Sequence, residues 1–333
     1  MKGILTVKNI FKRKLFQLLI LVLFILVMGI LWQHIMSQYE KGKYNPPGQL
    51  IEIDNHKMHI YASGEGSPTV VFTAGSGTPC AYSDYYCIQK EVSKTVRTIS
   101  YDRPGFGWSE PTSIPRTIDK QVDELHQLLS RAGEKPPYIL VGHSLSSLEV
   151  IRYAQVFPEE VLGVILIDGG NPALYADYSE FSALALSHIF EGIRVTGVAR
   201  ALGSVGVFPP FVGENQRLKY LPHDLQQIDK IMFYNKLGLD TNRNSLRNIN
   251  ENAREVVKGG KIGDIPFVIL TAEKSTKEWK ASQVELMSWS NNSKQEVVIG
   301  ASHYIHWNYP NIIVDKIDEL IKSSKMNFSN EVR

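Results

Sequence analysis

The stretch 141-VGHSLSS-147 directly follows the apolar run 138-YIL-140 and precedes the helix-like residues 148–157. An apolar run, a turn of small residues and a periodic stretch together predict a strand, a sharp bend and a helix. Ser144 stands at the bend, in a G-x-S-x-S pattern that matches a nucleophile elbow except at its fifth position. Ser146 replaces the usual glycine there, where the physical requirement is a small side chain. A plain Gly-Ser loop is the alternative.

Apolar runs alternate with helix-like stretches over the rest of the chain. Such alternation, with strands that are apolar throughout, predicts an α/β fold with a mostly parallel sheet covered on both faces. Residues 171–264 show no convincing central strand and several helix-like stretches, which predicts a helical lid inserted after the strand ending at Asp168. The β-like runs are 50–53, 58–61, 70–73, 96–101, 138–141, 164–167, 267–271 and 297–299, and the clearest helical patterns are 118–129, 148–157 and 312–321.

Residues 15–32 form an apolar segment in which Gln17 is the one polar side chain. Eighteen residues in a helix span roughly 27 Å, enough for a hydrocarbon core, so we predict one transmembrane helix. Five basic residues precede it, which favours a cytoplasmic N-terminus and an extracytoplasmic remainder. A cleaved signal peptide is the alternative, but polar residues rather than small ones follow Trp32, which favours an uncleaved signal anchor.

These patterns predict seven segments. The first is a cytoplasmic basic N-terminus, followed by the signal anchor, a linker, two parts of the core that flank the lid, and a tail. Their bounds are 1–14, 15–32, 33–48, 49–170, 171–264 (the lid), 265–325 and 326–333.

The composition is globular. The chain has 333 residues, 43% of them hydrophobic and 21% charged, with a net charge of +2. No basic stripe occurs, so we expect no nucleic-acid partner. Cys80 and Cys87 are the two cysteines, and two unpaired thiols are favoured over a disulfide. If the stretch is helical throughout, their Cα atoms lie about 10 Å apart, too far to bridge.

A serine hydroxyl becomes a nucleophile when a base takes its proton and amide groups stabilise the oxyanion that develops. His303 comes first after the run 297–299 and is our candidate base for Ser144, with His306 as the alternative. The amide that follows the nucleophile, at Leu145, is one candidate donor. The second is expected in the loop 74-AGSG-77, where we favour Ser76.

These segments, in this order, resemble the α/β-hydrolase superfamily, in its lidded esterase and aminopeptidase-like branch. The resemblance covers roughly residues 50–323 and implies a hydrolase with an acid, a base and a serine. It gives Asp102 and Arg103 a structural role only. Its motifs are 72-FTAGSG-77, 101-YDRPGFGWSE-110, 141-VGHSLSS-147, 164-VILIDGG-170, 267-FVILTAEKS-275 and 301-ASHYIHWNYP-310.

The acid of the triad is the part that the resemblance leaves open. The superfamily most often places an aspartate where Ser275 stands here. Asp168, at the end of the preceding predicted strand, and Glu273 are the two remaining candidates, and we favour Asp168 because it keeps the order nucleophile, acid, base. A residue that caps the entrance to the lid is the alternative role for Asp168.

Several classes of function are excluded by the same residues. Epoxide hydrolases and dehalogenases of this superfamily use an aspartate nucleophile, whereas position 144 is serine. No metal-ligand spacing, phosphate loop or dinucleotide fingerprint occurs, so we expect no metal and no cofactor.

Three functions remain open. A serine esterase that forms an acyl-enzyme on Ser144 is favoured, with a small-molecule ester or acylated substrate. An aminopeptidase of the proline-iminopeptidase type would need lid carboxylates, for which Glu180 and Glu191 are available. A catalytically silent, ligand-binding sensor is the third. The oligomeric state is left open. The lid's aromatic residues favour an apolar substrate only weakly; they are Tyr175, Tyr178, Phe181, Phe190, Phe208, Phe211, Phe233 and Tyr234.

Overall fold

One eight-stranded sheet organises the chain. The computed structural model describes residues 2–207 and 219–331. The strand order is β1-β2-β4-β3-β5-β6-β7-β8. The first two pairings are antiparallel and the remaining ones are parallel, which confirms the predicted fold class. The strands are β1 Gln49–Ile53, β2 His56–Ser63, β3 Thr69–Thr73, β4 Arg97–Asp102, β5 Tyr138–His143, β6 Val161–Ile167, β7 Phe267–Ala272 and β8 Ser293–Val298.

Thirteen α-helices are seen in the described residues. Six of them, α5 to α10, lie between β6 and β7, where the lid is predicted, and the described part of this insertion contains no strand. The break 208-FPPF-211 lies outside the described residues. The helices are α1 Lys2–Lys43, α2 Ala81–Val92, α3 Ile118–Arg131, α4 Ser147–Val156, α5 Pro172–Ala176, α6 Phe181–Val195, α7 Val198–Ser204, α8 His223–Lys236, α9 Asp240–Arg247, α10 Ile249–Gly259, α11 Lys277–Glu285, α12 Ile305–Asn308 and α13 Pro310–Glu331.

The sheet has a separate core on each face because successive side chains along a strand point in opposite directions. Val71 of β3 and Leu140 of β5 belong to the core that α3 and α4 cover. Val70 and Ile139, one position earlier, belong to the core that α2 and α13 cover. Strands β3, β5 and β7 are buried along their whole length, which explains their uninterrupted apolar sequences.

Three predicted boundaries differ from the structure. The predicted linker 33–48 is helical as far as Lys43, because α1 continues beyond its apolar segment. The predicted tail 326–333 is helical as far as Glu331, since α13 is longer than its apolar pattern. Strand β8 begins at Ser293, four residues before its apolar run, because it is an edge strand whose first residues are polar and partly exposed.

The N-terminal helix α1 is long and apolar enough to cross a membrane, and its most apolar window is not buried by the rest of the protein. The two cysteines are both free. Cys80 is buried directly before α2, and Cys87 lies partly buried within that helix.

Candidate active site

The bend at Ser144 connects β5 to α4 through one 3-10 turn, Ser144–Ser146. Ser144 has φ of +55°, a left-handed conformation that costs a residue with a side chain about 1–3 kcal/mol. The hydroxyl of the fully buried Ser146 lies 2.9 Å from the carbonyl oxygen of Thr73 and 2.8 Å from that of His143. A serine is therefore accommodated at the fifth position of the motif, and its hydroxyl ties the bend to β3.

Three side chains form a hydrogen-bonded chain at the carboxyl edge of the sheet. His303 Nε2 lies 2.9 Å from Ser144 Oγ, and His303 Nδ1 lies 2.6 Å from Asp168 Oδ2. Asp168 follows β6 directly, and His303 lies in the loop between β8 and α12. The parallel strands bring together residues that are up to 159 positions apart in the sequence.

Asp168 is completely buried, and the structure gives its carboxylate two further donors. The amide of Ala272 donates to Oδ1 at 2.9 Å, and the Ser275 hydroxyl donates to Oδ2 at 3.1 Å. Ser275 stands where the superfamily most often has its aspartate, and here its hydroxyl donates to the carboxylate of Asp168. The carboxylate of Glu273 points elsewhere and accepts the Gly300 amide at 2.8 Å.

His306, the alternative base, is buried away from Ser144. Its Nε2 lies 3.3 Å from Asp84 Oδ2, and its ring stacks on Tyr85 at 5.3 Å between centroids. Of the two histidines that follow β8, only His303 contacts Ser144.

Arg103 orders the loop in which an oxyanion donor is expected. Its guanidinium donates to the carbonyl oxygens of Ala74 at 2.5 Å and Gly75 at 3.1 Å. In a trans peptide the N–H points opposite to the carbonyl, so the amides of Gly75 and Ser76 face away from Arg103. Ser76 lines the same cavity as Ser144 and Leu145.

The position of Arg103 depends on the buried carboxylate of Glu149, in the helix that follows Ser144. The two groups lie 3.5 Å apart, and Glu149 also accepts the hydroxyl of Tyr101 at 2.5 Å. Burial raises the pKa of Glu149, and the charge of Arg103 opposes that rise. The resemblance implied a structural role for Arg103. Its contact with this loop depends on residues 28 and 46 positions away and has no local sequence signal.

His143 supports the loop that carries His303. Its Nε2 donates to the carbonyl oxygen of His303 at 3.1 Å. Burial, followed by the nearby His306 and His303, lowers the pKa of His143 well below its usual value, so this imidazole is neutral. Gly75 packs against the ring, where a Cβ would lie 2.5 Å from Nδ1. Glycine is required at position 75 by this close approach.

A family model described as the alpha/beta hydrolase fold matches residues 68–310. The chain belongs to the α/β-hydrolase family. YbdG of Bacillus subtilis is 36% identical over 138 residues, which are 41% of each chain. The match therefore spans less than half of that relative. The 2-(acetamidomethylene)succinate hydrolase of Mesorhizobium japonicum is 23% identical over 81% of this chain and 94% of its own.

The fold is shared with solved structures of other α/β-hydrolases. The enol-lactonase of Burkholderia xenovorans LB400 superposes with a TM-score of 0.62 at 17% identity, over 82% of this chain and all of its own. At that identity the likeness establishes the fold alone.

In this α/β-hydrolase, Ser144 opens onto a cavity of about 540 Å³ beneath the lid. Tyr175 and Trp279 line it. Burial raises the pKa of the Tyr175 phenol, and a hydrogen bond with Ser144 opposes that rise. The phenol is thus protonated at neutral pH and lies beside the serine.

A second cavity of about 230 Å³ adjoins the first and shares Ser76, Ala183 and Leu246 with it. Its wall is mainly apolar and includes Phe190 and Phe233. Lys236 also lines this cavity, and burial lowers the pKa of its amine, which donates to the Ser109 carbonyl, to about 8. Together, the two cavities form one space in which Ser144 lines the larger part and the smaller part is mainly apolar.

The lid's aromatic residues have different environments. Tyr175, Tyr178, Phe190 and Phe233 line the two cavities. Tyr234 is buried under Arg200, whereas Phe181 is exposed. Phe208 and Phe211 lie outside the described residues.

The two lid carboxylates proposed to bind a substrate amine line neither cavity. Glu191 pairs with Arg243 at 2.9 Å. Glu180 stands at the start of α6. The structure does not bring either of them to Ser144.

Proposed function

We propose that this α/β-hydrolase is a membrane-anchored serine hydrolase that cleaves carboxylic esters through an acyl-enzyme on Ser144. The observation that carries the proposal is the chain Asp168–His303–Ser144, with distances of 2.6 and 2.9 Å, at the mouth of an apolar cavity. An aligned carboxylate, imidazole and hydroxyl is the arrangement that activates a serine.

In the proposed mechanism, Ser144 Oγ attacks the ester carbonyl while His303 Nε2 takes its proton. Asp168 accepts the Nδ1–H of His303 and stabilises the imidazolium that forms. The oxyanion that forms accepts hydrogen bonds from the backbone amides of Leu145 and Ser76. Collapse of the tetrahedral intermediate transfers the proton from His303 to the leaving alcohol. A water molecule, deprotonated by the same imidazole, then attacks the carbonyl carbon of the acyl-enzyme. Collapse of the second tetrahedral intermediate releases the carboxylic acid, and His303 returns the proton to Ser144 Oγ.

The substrate class follows from the cavity walls. The extension past Ser76 is mainly apolar, so it suits an alkyl or acyl chain better than a charged group. The aminopeptidase alternative has less support, because Arg243 already pairs with Glu191.

The anchor is part of the proposal. Helix α1 is long and apolar enough to span a bilayer. The basic residues before it favour a cytoplasmic N-terminus, with the hydrolase domain on the other side of the membrane.

The test is labelling of the full-length protein, in detergent, with a fluorophosphonate probe. Wild type is expected to label, whereas Ser144→Ala and His303→Ala are expected to lose labelling because nucleophile or base is gone. Ser302→Ala is the matched control, because Ser302 is a second serine lining the same cavity, and it should label as wild type does.

Folded wild-type protein that does not label would overturn the esterase proposal and favour the silent ligand-binding function. Loss of labelling in the Ser302→Ala control would instead mean that the probe reports cavity shape rather than an activated serine.

A further inference from the structure

The lid touches α1 inside the apolar segment of that helix. Gly29 lies against the backbone of Thr196 and Gly197, where a Cβ on Gly197 would come within 2.7 Å of the Gly29 carbonyl oxygen. Trp32 is the last residue of the apolar run, and Gly29 precedes it by three residues. At the helical rise this is about 4.5 Å, so the contact lies inside the apolar segment rather than beyond it.

A buried polar cluster fixes the lid to α1 farther along that helix, between Gln33 and Glu40. The guanidinium of Arg200, in α7, forms a two-point ion pair with the carboxylate of Glu40. Its Nε also donates to Gln33 at 2.9 Å, and Asn235 of α8 donates to Glu40 at 3.0 Å. Glu40 and Arg200 are both about 95% buried, and together with the Gly29 contact they fix the position of the lid along α1.

The lid segment that starts at this contact has an apolar outer surface. Residues 195–207 read VTGVARALGSVGV, in which Arg200 is the one charged side chain and is turned inward to Glu40. Val198 and Leu202 are 38% and 41% exposed, and Val205 is 74% exposed. Val198 and Leu202, four residues apart, lie on one face of α7. Val205 follows directly after that helix, which ends at Ser204. An exposed apolar face beside a spanning helix is typical of a membrane contact.

We propose that residues 195–207 of the lid insert into the headgroup–hydrocarbon boundary of the bilayer that α1 crosses. The proposal rests on the proposed membrane anchor and adds a second contact with the same bilayer. The contact of Gly29 with Gly197 places the segment at membrane depth, and the apolar face of α7 then meets lipid rather than water.

The insertion has a consequence for the substrate. Helix α6 ends at Val195, where the inserted segment begins, and Ala183, Leu186 and Phe190 of that helix line the apolar cavity. The cavity wall is thereby continuous with the membrane contact. This geometry favours esters whose acyl chain resides in the bilayer, an inference that rests on the proposed esterase function.

The test measures depth by quenching. Full-length protein with Cys87→Ser carries one environment-sensitive fluorophore at Val198→Cys or Val205→Cys, in vesicles of phosphatidylcholine and phosphatidylglycerol in equal amounts. Cys80 is retained because burial raises the pKa of its thiol and keeps it unreactive. Leu23→Cys reports the centre of α1. Val156→Cys, an exposed valine at the end of α4, is the matched control.

Labels at 198 and 205 are expected to be quenched by lipids with a nitroxide next to the headgroup. The label at 23 should be quenched by a nitroxide near the end of the acyl chain, and the label at 156 by neither. Quenching at 23 alone would overturn lid insertion and leave the anchor standing, whereas no quenching at 23 would overturn both. A buried label at 198 without lipid quenching would mean that a second copy covers the segment, which also overturns the proposal.

The substrate inference is tested with Val198→Asp/Val205→Asp, two changes of exposed residues that line neither cavity. Hydrolysis of a vesicle-embedded long-chain ester is expected to fall about tenfold, because carboxylates resist entry into the bilayer. Hydrolysis of a soluble short-chain ester should stay unchanged. Equal losses on both esters, or no loss on either, would overturn access from the bilayer; no wild-type hydrolysis of either ester would instead overturn the esterase function.

Discussion

At the scale of single residues, Asp168 and Glu273 differ in what surrounds their carboxylates. Asp168 is fully buried and contacts His303, Ser275 and the amide of Ala272. Glu273 is exposed, and within the described part of the chain its carboxylate accepts a hydrogen bond only from the Gly300 amide. A carboxylate that is fixed by hydrogen bonds and faces Nδ1 can hold the imidazole in the tautomer that accepts a proton at Nε2. Glu273 has no such contact.

Asp168→Asn should therefore lower kcat by up to about 10⁴-fold, since an amide in place of the carboxylate favours the wrong tautomer of His303. Glu273→Gln, the matched change, should leave kcat close to that of wild type. Steady-state hydrolysis of a soluble ester measures both. The reverse ranking would move the acid to Glu273.

Lys236 is a second residue whose environment has a measurable consequence. Its pKa is lowered from 10.5 to about 8 by burial, so keeping the charged form buried at neutral pH costs free energy. Between these two pH values the unfolded chain binds more protons than the folded one. The free energy of unfolding therefore rises with pH across this window.

Lys236→Met should raise the free energy of unfolding at pH 7 by about 2 kcal/mol, after allowance for the lost hydrogen bond to Ser109. The gain should shrink as the pH rises from 8 towards 10.5. Urea unfolding of both proteins across that range measures it. Lys258→Met, at a lysine that is 77% exposed, is the control and should show little change at any pH.

At the scale of elements, apolar patterns predicted the central strands of the sheet, because a strand that is buried on both faces has a continuous apolar sequence. The runs 70–73 and 138–141 coincide with β3 and β5 to within two residues. The predicted start of edge strand β8 was four residues too late, since residues 293–296 are all polar and partly or fully exposed. The extension of α1 to Lys43 was missed because the partners of its polar end lie in the lid.

In the candidate site too, some features have a local sequence pattern and others depend on distant residues. Asp168 directly follows its apolar run, and Ser144 and His303 come within four residues of the ends of theirs. The sequence therefore predicted that the three lie at one edge of the sheet. The supporting contacts of Arg103 and His143 depend on backbone carbonyls of distant loops. Such contacts leave no pattern in the local sequence, because carbonyl groups are present in every residue.

At the scale of the whole molecule, the ion pair Glu40–Arg200 joins the anchor to the lid. Because both side chains are buried, the effect of breaking the pair on stability depends on whether one charge or both are removed. Removing one partner of a buried pair leaves an uncompensated charge, whereas replacing both by apolar groups is often close to neutral. Arg200 also lies over the ring of Tyr234, 5.1 Å from its centroid, so a long apolar side chain at position 200 would keep that contact.

Glu40→Leu in the full-length protein is expected to lower the free energy of unfolding by about 3–5 kcal/mol, because Arg200 stays buried without a counter-charge. Adding Arg200→Met should recover most of that loss, since the double variant has no charge left to desolvate at this contact. The midpoint of urea unfolding in detergent, followed by tryptophan fluorescence, measures both. Lys316→Met, which removes ion pairs with the exposed Glu296 and Glu319 (44% and 59%), is the control for loss of surface pairs and should cost below about 1 kcal/mol. A double variant as unstable as Glu40→Leu alone would contradict this account. The loss would then come not from the unpaired charge of Arg200 but from the hydrogen bonds that this pair makes with Gln33 and Asn235.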